Sequence, residues 1–163
     1  MATEMTKKER VKIIDDFIEN GIIPLRDKKK SIENKIKSTK DPEKEKIWQK
    51  QHDFIVLFEF NLIKELQKIK LSDYPTEEDF EKTITGCYDS LKNAKMDIKA
   101  NRSLLRMLIE VVKSVTNDCF KKITSDKVQL SFFEPKQSKL DKINNAIEKL
   151  ESLLDDNSHT PKP

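Results

Sequence analysis

The chain has 163 residues, 36% of them apolar and 37% charged, and holds only two glycines. Tight turns and phosphate-cradling loops need glycine, so its scarcity excludes a Rossmann-type or sheet-rich fold and points to an all-α protein. The 32 basic and 29 acidic residues leave a net charge of +3, too balanced for a chain devoted to nucleic acid, and no apolar run reaches the roughly 18 residues of a membrane span.

Thr6-Lys7-Lys8-Glu9 has the spacing of a capping box, in which threonine and glutamate satisfy each other's free amides. The helix it opens places Val11, Ile14, Phe17 and Ile18 on one face. Asn20-Gly21 is its stop, with Gly21 expected in the left-handed conformation, and Ile22-Ile23-Pro24 turns the chain. From Leu25 a thin seam of Leu25, Ile32 and Ile36 among lysines predicts a helix with one packed edge and a wide wet face. Asp41-Pro42 interrupts it, aspartate as a cap and proline as a first helical residue. A helix from Pro42 to Leu71 follows. It contains Phe54-Ile55-Val56-Leu57-Phe58-Glu59-Phe60, which at about 100° per residue covers nearly the whole circumference and predicts neighbours on all sides.

Ser72-Asp73-Tyr74-Pro75 breaks that helix, and Thr76-Glu77-Glu78-Asp79 starts another with acids at the positive end of its dipole. Phe80, Ile84, Cys87, Leu91, Ala94, Ile98, Asn101, Leu105, Leu108, Val112, Val115 and Cys119 then recur in alternating steps of four and three. This a/d rhythm favours one continuous helix from Thr76 to Ile123, with a break at Asn101-Arg102-Ser103 as the alternative. Unbroken, it and the Leu25–Leu71 half would each be about 65–70 Å long and lie antiparallel. Val128–Phe133 reads as an extended connector. Ser138 is placed to cap a last helix carrying Leu140, Ile143, Ile147, Leu150 and Leu154. The expected architecture is all-α: an elongated antiparallel helical hairpin or bundle of four to six helices with coiled-coil-like packing. It forms one domain over residues 1–154, with a flexible polar tail over 155–163.

No catalytic, cofactor or metal constellation emerges. His52 and His159 have no second nitrogen or sulfur ligand at helical spacing, and there is no glycine-rich loop or nucleophile elbow. Glu77, Glu78, Asp79 and Glu81, like Asp15 and Asp16, read as helix-terminus and surface charge. Cys87 and Cys119, both on the seam, read as buried free thiols of a reducing compartment. Lys28, Lys29, Lys30, Lys35 and Lys37, with Lys40, form a basic run suited to phosphate or anionic lipid. Acids at Asp27 and Glu33 interrupt it, and no aromatic residue interleaves for base stacking.

Trp48, Phe54, Phe58 and Phe60 read first as core. Because their patch wraps the helix, a homodimer interface or partner groove is the alternative. Asn101, the one polar residue inside the long seam, either sets register in a paired-helix interface or marks a helix break.

Glu148, Glu151, Asp155 and Asp156 precede a short polar end, Asn157-Ser158-His159-Thr160-Pro161-Lys162-Pro163. This acidic block resembles the C-terminal translocation signals of effectors exported by Dot/Icm-type IV secretion systems of intracellular bacteria. The Lys/Ile/Asn/Glu-rich usage is similar to that of proteins from AT-rich genomes of that kind. The end departs from the pattern in that no further glutamate follows Glu148 and Glu151 at helical spacing. The resemblance implies secretion into a host cell, in place of the cytoplasmic location otherwise expected; it implies no fold and no activity. The expected function is non-enzymatic binding of a protein partner through helical faces, as adaptor, chaperone-like subunit or effector, with a helical nucleic-acid or anionic-surface binder as the alternative and an enzyme third.

Overall fold

The computed structural model describes residues 7–72, 75–94, 101–123 and 141–158, and the regular structure among them is entirely helical. The expected cap at Thr6, the connector at Val128–Phe133 and the cap at Ser138 lie outside the described residues.

Helix α1 (Lys7–Asp16) runs through a π-helical turn (Phe17–Gly21) into α2 (Ile23–Ser38), with Pro24 in the first turn of α2 where its missing amide is harmless. Ile14, Phe17, Leu25 and Ile32 are buried as their spacing predicts. The expected left-handed Gly21 is corrected: no described residue has a positive φ. The reason for glycine is proximity instead, since a Cβ at Gly21 would run into the Phe17 ring four residues earlier.

Helix α3 (Pro42–Leu71) spans 30 residues. Asp41 caps it, its Oδ1 accepting the amides of Glu43 at 3.0 Å and Lys44 at 3.4 Å. Helix α2 lies antiparallel along it, with Arg26 reaching Glu59 and Glu33 reaching His52. At the far end α1 packs beside the last turn of α3, where Arg10 donates to the Ser72 carbonyl and Lys70 pairs with Asp15 at 2.9 Å.

Thr76 and Asp79 form a reciprocal capping box that opens α4 (Glu77–Lys92). The continuous helix expected over 76–123 does not form. Helix α4 ends at Lys92, and Asn101 is the N-cap of α5 (Arg102–Val115), its Oδ1 accepting the Leu104 amide at 3.1 Å. A heptad rhythm records which face is apolar, not whether the backbone stays helical between two in-phase segments. Asparagine offers the chain a local alternative to the helical ladder, and here that alternative wins. The seam itself holds: Phe80, Ile84, Cys87 and Leu91 before the break, and Leu105, Leu108, Val112, Val115 and Cys119 after it, are all buried.

A second π-helical turn (Thr116–Phe120) extends α5, and Phe120 stacks on Phe80 with centroids 4.3 Å apart. That contact sets the end of α5 beside the start of α4, so the two run antiparallel. Helix α6 (Asp141–Ser158) runs parallel to α4, with Lys142 near Glu78, and antiparallel to α5, with Lys113 near Glu151. Ile143, Ala146, Leu150 and Leu153 face the core, while Ile147 and Leu154 are half-buried, so the buried stripe sits slightly to one side of the expected one. Helix α6 also carries through Ser158, taking in the first four residues of the expected tail. One hydrophobic cluster draws on all six helices, which makes the molecule an all-α bundle. No described helix is long and apolar enough to cross a membrane.

Candidate functional site

Helix α3 is the central element, and its two sides differ sharply. Gln51, Ile55, Phe58, Leu62, Leu66 and Ile69 recur at steps of three and four and are buried against the bundle. At about 100° per residue, Leu57, Phe60, Lys64 and Leu71 lie on the opposite side. Among the described residues nothing covers this side: Val56 is 43% exposed, Leu57 58% and Phe60 63%. The expectation that the aromatic segment has neighbours all round therefore holds on one side and fails on the other within this chain.

The sequence-derived candidates separate accordingly. Phe58 is core, buried and stacked at 6.1 Å on the half-buried Phe54. Trp48 is half-buried, with the Lys35 ammonium 5.9 Å from its ring centroid. Of the aromatic group only Phe60 stands in solvent. Val56 and Leu57 join it there, and selecting the aromatic residues alone passes over them; the signal was the apolar run on a helix whose core stripe was already complete. Asn101 is not on this face. Its Nδ2 donates to Oε1 of the buried Gln51 at 3.3 Å, tying the start of α5 to the inner side of α3. Gln51 was legible in principle as the one polar residue in step with Ile55, Phe58 and Leu62.

The basic segment does not converge on a site. Lys29 and Arg26 both reach Glu59, at 3.5 and 3.4 Å, and Lys35 lies over Trp48. Lys28 is half-buried, whereas Lys30 and Lys37 are exposed. Glu33, interleaved among them, has its carboxyl held below the usual carboxylate range, first by its hydrogen bond with His52 and then by nearby charges. His52 itself sits between Glu33 at 2.9 Å and Asp53 at 3.5 Å. Among the described residues, no cluster of three His, Cys, Asp or Glu side chains is placed to hold a metal ion.

Two clefts of about 280 Å³ open between helices. One, between α4 and α6, is lined by Glu81, Tyr88, Asp89, Lys142 and Lys149. The other, between α3 and α4, lies over Phe58, Leu62 and Cys87, where Gly86 leaves open space. Burial pushes the Cys87 thiol up to about 12 and the Cys119 thiol likewise, so neither supplies a thiolate nucleophile near neutrality. No protein-family model, curated protein or solved structure matches this chain.

Proposed function

We propose that the chain is a non-enzymatic helical interaction module that binds a protein partner through the outer face of α3. One observation carries this reading: Val56, Leu57 and Phe60 stand adjacent in solvent on a helix whose opposite face is fully docked. Single exposed apolar residues are ordinary, but a contiguous aromatic and aliphatic cluster on a rigid helix is the composition of an interface centre. A helical groove or a second helix is its natural complement, reading residues at steps of three and four. Adaptor, chaperone-like subunit and exported effector are all forms such a module takes.

A photo-crosslinking side chain at Phe60, compared with one at the exposed Arg106 of α5, tests the reading in a lysate of cells expressing the chain. A defined protein adduct at position 60, suppressed by excess unlabelled chain and missing at position 106, is expected. Equal labelling at both positions, or none at either, would overturn it.

A further inference from the structure

The outer stripe of α3 has a charge order that selects an occupant. At alternating steps of four and three it reads Lys46, Lys50, Asp53, Leu57, Phe60, Lys64, Gln67 and Leu71. All are exposed except Gln67, which is half-exposed, and the stripe points directly away from the buried one. We infer that the partner at this face is a second copy of the chain, its α3 packed antiparallel on the first about a twofold axis between Phe58 and Glu59.

The inference rests on the proposed interaction face and adds the identity of its occupant. In an antiparallel helix pair, facing residues have numbers of constant sum. With the axis between Phe58 and Glu59, Leu57 faces Phe60 of the second copy and Asp53 faces its Lys64. Lys50 then faces Gln67, and Lys46 faces Leu71, along whose side chain its methylene stem can lie. Twofold symmetry repeats every pair, so a Leu57/Phe60 centre is closed at both ends by an Asp–Lys pair, and no like charges face each other. The steps also fit: each facing pair joins a position that ends a step of three to one that ends a step of four, the layer arrangement of antiparallel coiled coils. A parallel pair would instead set Asp53 against Asp53 and each of Lys46, Lys50 and Lys64 against its own copy.

The geometry leaves room for this. The overlap runs from residue 46 to residue 71, about 39 Å of helix. Helix α2 lies on the side of Glu59 and α4 on the side of Asn61 and Glu65; Lys64 also lines the α3–α4 cleft but stays exposed, and Leu57 and Phe60 are 58% and 63% exposed, so neither helix buries the stripe. The Asp53 side chain is 67% exposed; its Oδ1 accepts from Gln49 one turn earlier at 2.9 Å and lies 3.5 Å from His52 Nδ1, which leaves Oδ2 for a facing lysine. Lys64 has no charged partner among the described residues. With only two apolar residues per copy at the centre, the dimer belongs to the weak, concentration-dependent class.

Charge reversal in the purified full-length chain tests this by sedimentation equilibrium over a wide concentration range. Asp53→Lys alone creates Lys–Lys pairs, and Lys64→Asp alone creates Asp–Asp pairs. Each is expected to weaken self-association by about tenfold or more. The double variant Asp53→Lys/Lys64→Asp restores opposite charges only in the antiparallel register, and is expected to return association to within about threefold of the parent. Those two positions are eleven residues apart, about 16 Å along one helix, so rescue cannot arise within a single copy. A parent chain that stays monomeric at the highest concentration, or a double variant no better than the single ones, would overturn self-pairing. If the purified chain is monomeric while Phe60 still crosslinks a different protein, the interaction reading stands and the self-pairing falls. If neither occurs, both fall.

Discussion

Asn101 holds two structures together with one side chain: its Oδ1 accepts the Leu104 amide at 3.1 Å, and its Nδ2 donates to Gln51 Oε1 at 3.3 Å. The first bond starts α5, and the second fixes that start against the middle of α3. Asn101→Leu removes both. Loss of the cap costs about 1 kcal/mol and loss of the part-buried hydrogen bond about 1 more, so the variant is expected to be roughly 2 kcal/mol less stable. Asn101→Asp keeps the capping oxygen and forfeits the amide donor, and is expected to fall between the two. Urea denaturation with an unchanged slope measures this; a stabilised Asn101→Leu would mean that the seam is continuous there after all.

The two glycines have opposite surroundings, and alanine should separate them. At Gly21 the new methyl meets the Phe17 ring, an overpacking expected to cost about 1–3 kcal/mol. At Gly86, inside α4, a Cβ meets nothing within 4 Å. Alanine there is expected to stabilise the chain by about 0.5–1 kcal/mol through the lower entropy of its unfolded state. In a Phe17→Ala background the obstacle is gone, and the penalty of Gly21→Ala should vanish. Thermal melts of the five proteins decide the matter, and equal effects at the two glycines would contradict the packing.

These positions show what the sequence carries and what it omits. Asp41-Pro42, Ser72 and Thr76 marked helix boundaries because capping is local chemistry, complete within four residues. The buried stripes were legible because burial follows period. Helix continuity through residues 92–101 was not legible, since Ala94, Ile98 and Asn101 keep the phase whether or not the backbone stays helical. The exposed side of α3 was hidden for a related reason. An apolar run around a whole helix says that something should cover it, but only the placement of α2, α4 and α5 shows that none of the described residues covers Leu57 and Phe60. Gly21 was misread because a glycine that avoids a neighbouring ring looks, in sequence, like one that turns the chain.

Glu77 links the start of α4 to the start of α6. Burial raises its carboxyl above the usual carboxylate range, against the opposing pull of the Lys142 and Ile143 backbone amides. A carboxyl whose folded pKa exceeds its unfolded one binds more protons in the native state, so its contribution to stability falls as pH rises through that window. Glu77→Gln keeps an acceptor for the α6 amides and removes the buried charge, while Glu78 and Asp79 still complement the α4 dipole. The variant is therefore expected to melt higher than the parent near neutral pH, with the gain shrinking as pH falls through the raised folded pKa and largely lost by about pH 4, where folded and unfolded chains both carry the proton. A gain of the same size at both pH values would show that the charge is not the cause.

Phe58 and Phe60 are two residues apart and should behave as members of different surfaces. Phe58 is 3% exposed within the core, and truncation to alanine removes most of its contacts, so Phe58→Ala is expected to cost about 3–5 kcal/mol. Phe60 and Leu57 are more than half exposed, and their side chains contribute little to folding of the single chain. Leu57→Ser and Phe60→Ser are each expected to change stability by no more than about 0.5 kcal/mol when measured well below any association concentration. The same two variants should lose most of the binding that the outer face supplies, because a hydrophobic centre concentrates interface energy in few residues. Stability and binding would then separate cleanly, the mark of a surface kept apolar for a partner and not for the fold. If Phe60→Ser instead destabilised the single chain as much as Phe58→Ala, Phe60 would be a core residue, and the outer face of α3 would have no claim as an interface.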